Sequence, residues 1–227
     1  MRRLTRRAGV VKEWRVPESV LTADELRRYA YHLRSRRAAA SFARCWLLVE
    51  GETEFWLMDE LARVCGYEFA SEGVACVEFA QCGLSALLKV AQCLGIQWHL
   101  LADGDDAGRQ YAQTAQRWAG TDRIQDRVSL LQDRDLEHCF WRHGYEHVFL
   151  KAAFPGQAPG DRPRRTSANA VIARAVERYS KPYLAVLLLN VVIERGPEGV
   201  PPPLRNVIEI CTSLARHGLA HKPGNSV

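Results

Sequence analysis

No two of the seven cysteines, at positions 45, 65, 76, 82, 93, 139 and 211, form a C-x-x-C pair. An odd count on mostly apolar segments argues against a disulfide scaffold, reads as reduced, buried thiols, and gives no zinc-type spacing. No G-x-x-x-x-G-K-S/T stretch occurs, so the chain is not itself a P-loop ATPase. No run reaches the roughly 18 apolar residues of a membrane span, and the basic N-terminus lacks the apolar stretch of a signal peptide. The expectation is a cytoplasmic protein with no membrane partner. Internal repeats and low-complexity tracts are missing as well.

What is present suits a folded domain. Apolar residues make up 47% of 227, enough for one sizeable core or two small ones. The net charge of +5 comes from 31 basic and 26 acidic residues that are interleaved over much of the chain. Residues 1–44 depart from this balance, with eleven Arg and one Lys against four acids. Such a run suits either a polyanion or a solvated helix surface.

The chain is organised around Cys45 to Glu54, CWLLVEGETE. Cys45 to Val49 is a short continuous apolar run, as in a strand of a parallel sheet buried on both faces. Glu50 then stands at the carboxyl end of that strand. Gly51 makes the turn, Thr53 is the expected helix cap, and Glu54 falls in the first helical turn. A second copy of the pattern is the strand Trp98 to Ala102 followed by Asp103-Gly104-Asp105-Asp106-Ala107-Gly108. In open α/β sheets ligands bind outside the carboxyl ends of the strands. If the two strands are neighbours, Glu50, Glu54, Asp103 and Asp105 meet there and cannot all stay ionised without cations. Oxygen donors alone favour Mg²⁺ or Mn²⁺ over zinc.

A strand ending in E-G-x-x-E paired with a later strand ending in D-G-D resembles the TOPRIM domain of topoisomerases, primases and several nucleases. More narrowly, LLVEGETE, FAQCGLSALLKVAQCLGI, HLLADGDDAG, DLEHCFW and SKP resemble the C-terminal half of the OLD (overcoming lysogenization defect) family nucleases, from about Leu21 to Arg216. The resemblance implies an α/β fold: a TOPRIM-type, Rossmann-like parallel sheet flanked by helices, followed by a smaller helical subdomain. It also implies a metal-dependent DNA endonuclease that uses two Mg²⁺ or Mn²⁺ ions, with DNA as partner. Relatives of this type usually carry an N-terminal ABC-type ATPase domain, which this chain lacks. The other reading is a non-catalytic TOPRIM module for nucleic-acid binding or assembly.

Alternating strand and helix signals support the sheet: strands at 75–79 and 128–131 join those already named. The expected organisation is a lead and linker helix over 1–40, a TOPRIM catalytic domain over 41–154, and a helical subdomain over 164–217 that contributes Lys181. Before it, VVKEWRV reads as an edge hairpin or a loose lead, and Thr22 with Glu25 opens a helix running to about Arg37. Past Asp133 helices are expected at 135–143, 146–154, 166–179, 182–195 and 204–217, with a Pro/Gly loop over 155–163 and a frayed end over the last ten residues.

Two-metal hydrolysis of a phosphodiester needs several carboxylates, one of them bridging. Glu50, Asp103 and Asp105 are assigned to the first ion, and Glu54, Asp135 and Glu137 to the second. Any one of these acids could simply be a helix N-terminal charge favoured by the dipole. Six at three rim positions argue against that. Asp106 reads as a dipole partner and Asp133 as a residue behind the ligands. Ser180-Lys181-Pro182 resembles a helix-start motif of OLD nucleases whose lysine belongs to the active site, a charge suited to the scissile phosphate. Gln81 and Gly83 open a helix whose amides could cradle a backbone phosphate, or they form an ordinary turn. His138, His143 and His147 read as structural, and Cys82 has no His beside it to make a nucleophile.

Overall fold

The computed structural model describes residues 1–7, 9–31, 38–156 and 166–217. It opens with an antiparallel hairpin, β1 (Arg2–Arg7) and β2 (Val10–Arg15), and a short helix α1 (Ala23–Tyr29). Thr22 and Glu25 form the capping box at the start of α1, as their spacing predicts. Four parallel strands follow: β3 (Cys45–Val49), β4 (Val74–Glu78), β5 (Gln97–Ala102) and β6 (Val128–Leu130), in the spatial order β4-β3-β5-β6. The neighbouring pair β3 and β5 is in the register Leu48 opposite Leu100, which brings the two strand-end acidic motifs side by side.

Alternation along β3 divides its side chains between two cores. Cys45, Leu47 and Val49 face one side; Trp46 and Leu48 face the other, and all five are buried. The second side is covered by α4 (Leu84–Leu94) and α5 (Asp106–Trp118), with Tyr29 of α1 at its edge. Trp46 satisfies its indole N–H there by donating to the Ala40 carbonyl at 2.7 Å. The first side is covered by α2 (Glu52–Val64), then α3 (Phe69–Glu72), α6 (Leu136–Phe140), α7 (Glu146–Ala153), α8 (Ala168–Arg178), α9 (Lys181–Arg195) and α10 (Pro202–His217). Residues 166–217, expected as a smaller helical subdomain, share the core on this side: α10 lies against β3 and β5, while α8 packs on α7 and α9 on α2.

Buried polar groups at the opposite ends of the strands are fully engaged. Arg127 donates to the Asp122 carboxylate at 2.8 Å, the Trp98 carbonyl at 2.9 Å and the Gln97 side chain at 3.0 Å. His99, central in β5, sits between the Asp126 carbonyl at 3.2 Å and the Ser129 hydroxyl at 2.9 Å, and burial pushes its pKa down to about 4. It is a neutral core histidine. Among the described residues no helix is long and apolar enough to cross a membrane.

Two local expectations change. Thr53 does not cap α2; Gly51 holds the N-cap position, and the Glu54 carboxylate reaches back to accept from the Gly51 N–H at 3.1 Å. The helix expected over 135–143 stops at Phe140 and passes into a wide π-type turn, Trp141–Tyr145, because Gly144 adopts φ 86° and breaks the helical path. Of the two readings of the lead segment, the hairpin is the one formed, over residues 2–15. The continuation of α1 towards Arg37, most of the 155–163 loop and the last ten residues lie outside the described residues.

The D-G-D-D-A-G turn is held by close backbone approach. A Cβ on Gly108 would stand 1.8 Å from the Asp103 carbonyl oxygen, and one on Gly104 would stand 2.4 Å from the Asp133 carbonyl oxygen. Gly108→Ala should therefore push α5 off the end of β5, costing about 1–3 kcal/mol or more as overpacking. At roughly 2–4 °C per kcal/mol for a chain of this size, scanning calorimetry should show a fall of several degrees. An unchanged Tm would mean that this turn tolerates the methyl group.

Candidate metal centre

The first two acids come from β3 and its turn. Glu50 follows the last residue of the strand, and its backbone carbonyl accepts from Ala80 N–H at 3.1 Å, which ties it to the end of β4. Glu54, one turn into α2, is steered to the same rim by its bond to the Gly51 amide. Burial raises the Glu50 pKa, and the charges of Glu54 and Asp105 raise it further, partly offset by Lys181.

Asp103 and Asp105 come from the end of β5. Asp105 is the N-cap of α5, its Oδ1 accepting from Gly108 N–H at 2.7 Å, which is the capping role its position before a helix allows. Asp103 carries the largest perturbation among these acids. Burial first, then the carboxylates of Glu54 and Asp135, push its pKa up to about 8, with Lys181 pulling the other way and Glu137 adding to the rise. Asp106 points away, 93% exposed and paired with Arg109 at 2.6 Å.

The third pair enters from α6. Asp135 is the N-cap of that helix, and its Oδ1 accepts from the His138 amide at 2.9 Å and meets His138 Nδ1 at 2.5 Å. Burial acts to raise its pKa, but the two His138 contacts outweigh it and hold the carboxyl below the usual range. Glu137 is 7% exposed, and burial raises its pKa against the pull of Lys181. Lys181, the first residue of α9 after the Ser180 N-cap, lies with Nζ 3.4 Å from Glu137 Oε2. Burial lowers its pKa and the charges of Glu137 and Asp135 more than restore it, so the ammonium stays protonated.

All six acids singled out in the sequence, together with Lys181, are therefore electrostatically coupled at one rim. Gln81 and Gly83 lie elsewhere on it. Gln81 is exposed beside Arg27, Arg28 and Tyr31. The Gly83 N–H is not directed outward; it donates to the Phe79 carbonyl at 2.7 Å, so this glycine serves the turn into α4.

Some participants give no sequence signal. Tyr111 reads as a core position of α5, yet its hydroxyl end feels Glu50 and Asp105, and its ring meets Phe79 edge-on at 4.8 Å. His138 bridges Asp135 to Asn169 of α8, with Nε2 2.9 Å from Asn169 Oδ1. The pair is 31 residues apart, beyond the reach of any local pattern. Asp133, Cys139 and His143 also gather, with one donor atom from each within 4.8 Å of the others.

Comparison with known proteins agrees with this fold. Residues 42–105 match the family model for the overcoming lysogenization defect protein-like TOPRIM domain. The Escherichia coli (strain K12) protein YbjD, described as uncharacterized, is 42% identical over 216 residues, which is 94% of this chain and 38% of that protein. The chain thus spans under two fifths of the length of that curated relative. Among solved structures, the C-terminal region of the Xanthomonas campestris pv. campestris OLD protein superposes with a TM-score of 0.59 at 18% identity, covering 77% of this chain and 97% of that one. The C-terminal region of the Burkholderia pseudomallei OLD protein gives 0.58 at 18% identity, covering 77% and 99%. At that identity the likeness establishes a shared fold.

The raised Asp103 carboxyl gives the chain, in chelator, a pH signature. Its pKa rises from 3.8 to about 8 on folding, so its neutral form favours the native state at low pH and that advantage is lost as pH climbs from about 4 to about 8. Asp103→Asn fixes the neutral form. Relative to the parent it should be near-neutral for stability at about pH 4–5 and should raise Tm by several degrees at about pH 8. A difference in Tm that does not change with pH would show that Asp103 ionises freely.

Proposed function

Because residues 42–105 form an OLD-like TOPRIM domain, we propose that the protein is a Mg²⁺- or Mn²⁺-dependent DNA endonuclease that nicks or cuts duplex DNA by phosphodiester hydrolysis. The observation that carries this reading is the meeting of acids from the neighbouring ends of β3 and β5 and from the start of α6 around Asp103, with Lys181 beside Glu137. Glu50, Asp103 and Glu137 resist ionising here, and cations among them would offset that cost. The assigned donors are all carboxylate oxygens, which fits hard divalent ions.

Glu50, Asp103 and Asp105 would hold one ion, and Glu54, Asp135 and Glu137 the other. Such a pair supplies, when bound, a water nucleophile at neutral pH and positive charge for the leaving oxygen. The chain's own residues prepare for it. The Gly51 and Gly108 amides each occupy one oxygen of Glu54 and Asp105, fixing the direction of the other. His138 does the same for Asp135. Lys181, protonated and half-exposed beside Glu137, would receive a phosphate oxygen. Its charge stabilises the developing anion without reorganising. Affinity for DNA comes chiefly from Lys and Arg, since phosphate contacts dominate binding.

Nicking of supercoiled plasmid with and without metal tests the reading. Mg²⁺ or Mn²⁺ should support nicking, and Ca²⁺, larger and laxer in geometry, should bind yet support little. Glu50→Ala and Asp103→Ala should abolish cutting while DNA affinity is largely kept. Binding without metal-dependent nicking by the parent would favour an assembly or nucleic-acid-binding module instead.

Lys181→Ala should keep its Tm and lose about a hundred- to a thousandfold in rate. Lys181→Arg should recover only part, because a planar fork does not replace a point charge. A folded Lys181→Ala variant with full activity would return that residue to the surface.

A further inference from the structure

We propose that Asp133, Cys139 and His143 form a second, chemically distinct cation site that takes a soft divalent ion of the zinc class. The three come from adjoining segments: Asp133 from the loop after β6, Cys139 from α6, and His143 from the wide turn that follows it. Cys139 and His143 are four residues apart, so one helical turn sets them side by side. The Gly144 break then lets the imidazole fold back towards the thiol.

The donor atoms of all three lie within 4.8 Å of one another, and Cys139 Sγ is 3.8 Å from His143 Nδ1. Zinc bonds of about 2.3 Å to sulfur and 2.0–2.1 Å to nitrogen at a tetrahedral angle put two such ligands about 3.6 Å apart. The thiol and the imidazole already have nearly that spacing. Asp133 must close the remainder by turning its carboxylate, which among the described residues is held by a 3.5 Å contact from the exposed Arg142.

A helix-end role explains His143 in part, since Nδ1 bonds the Cys139 carbonyl at 2.7 Å. It does not explain a carboxylate and a buried thiol aimed at the same point. On loading, the thiol proton leaves to solvent. The imidazole gives up its Nδ1 bond to the Cys139 carbonyl, its proton moves to Nε2, and the ring stays neutral. Sulfur and nitrogen donors select against Mg²⁺ here, as the all-oxygen set at the rim selects for it. Three protein ligands leave the fourth position of the ion for water.

The site also touches the rim. Asp133 accepts the Gly104 N–H on its carbonyl at 3.1 Å and stands two residues before Asp135. An ion at Asp133 would therefore stiffen the loop that presents Asp135.

Cobalt(II), a spectroscopic substitute for zinc, titrated into the purified chain tests this without reference to cutting. One equivalent should give a thiolate-to-cobalt charge-transfer band that added zinc abolishes. Cys139→Ser should remove the band. As that position is fully buried and the variant could misfold, Asp133→Asn and His143→Gln are measured beside it, and each should weaken cobalt binding by at least about tenfold. Asp103→Asn should leave the band intact. No sulfur band in the parent, a band that survives Cys139→Ser, or unchanged affinity in Asp133→Asn or His143→Gln would each overturn the proposal.

Discussion

Mutual repulsion among the carboxylates at the ends of β3 and β5 is the constraint that the rest of the molecule serves. Two like charges about 4 Å apart at an effective dielectric near 20 oppose one another by about 4 kcal/mol. Several such pairs can be held together only by a scaffold that is stable without them. The two cores on either side of β3 supply that scaffold, and all five residues of the strand are buried. Three of the acids are in addition fastened locally, Glu54 by Gly51, Asp105 by Gly108 and Asp135 by His138. These bonds fix direction as well as position, so the acids face one another instead of splaying into solvent.

The helices after residue 166 have a part in the same balance. α9 rests on α2 and α7, and this places its first residue, Lys181, against Glu137. α10 lies across β3 and β5, and its Arg216 pairs with Glu72 of α3. The one ammonium coupled to the acid cluster thus depends on packing far from the rim. A helix that shifted on the sheet would move Lys181 first, because the residue stands at the helix terminus with the charge at the end of a flexible stem.

The segment from Leu131 to Tyr145 concentrates most of the unusual chemistry. It carries Asp135 and Glu137 towards the other carboxylates of the rim, and Asp133, Cys139 and His143 towards a mixed set of oxygen, sulfur and nitrogen. The helical repeat separates the two groups. Glu137 and Lys181 meet on one side of α6, while Cys139 and His143 share another. Gly144 makes this possible, since its positive φ ends the helix and turns His143 back.

The sequence by itself determined the sheet and the acidic rim. Buried strands announce themselves as short apolar runs, and β3 begins and ends at Cys45 and Val49 as read, while the other three strands shift by a residue at one end or another. Acids at strand ends are local features, so Glu50, Glu54, Asp103, Asp105, Asp135 and Glu137 were all legible, and Lys181 was legible through its likeness to a family motif. Tertiary structure alone decided what no window of sequence contains. It set Asn169 against His138, turned Tyr111 from a core helix position towards Glu50, and gathered the C-terminal helices into the core on one side of the sheet. It also closed Asp133, Cys139 and His143 together, where the spacing had read as structural. The physical reason is range: periodicity and capping act over a helical turn or a strand, whereas these contacts depend on how separate elements pack after each has formed.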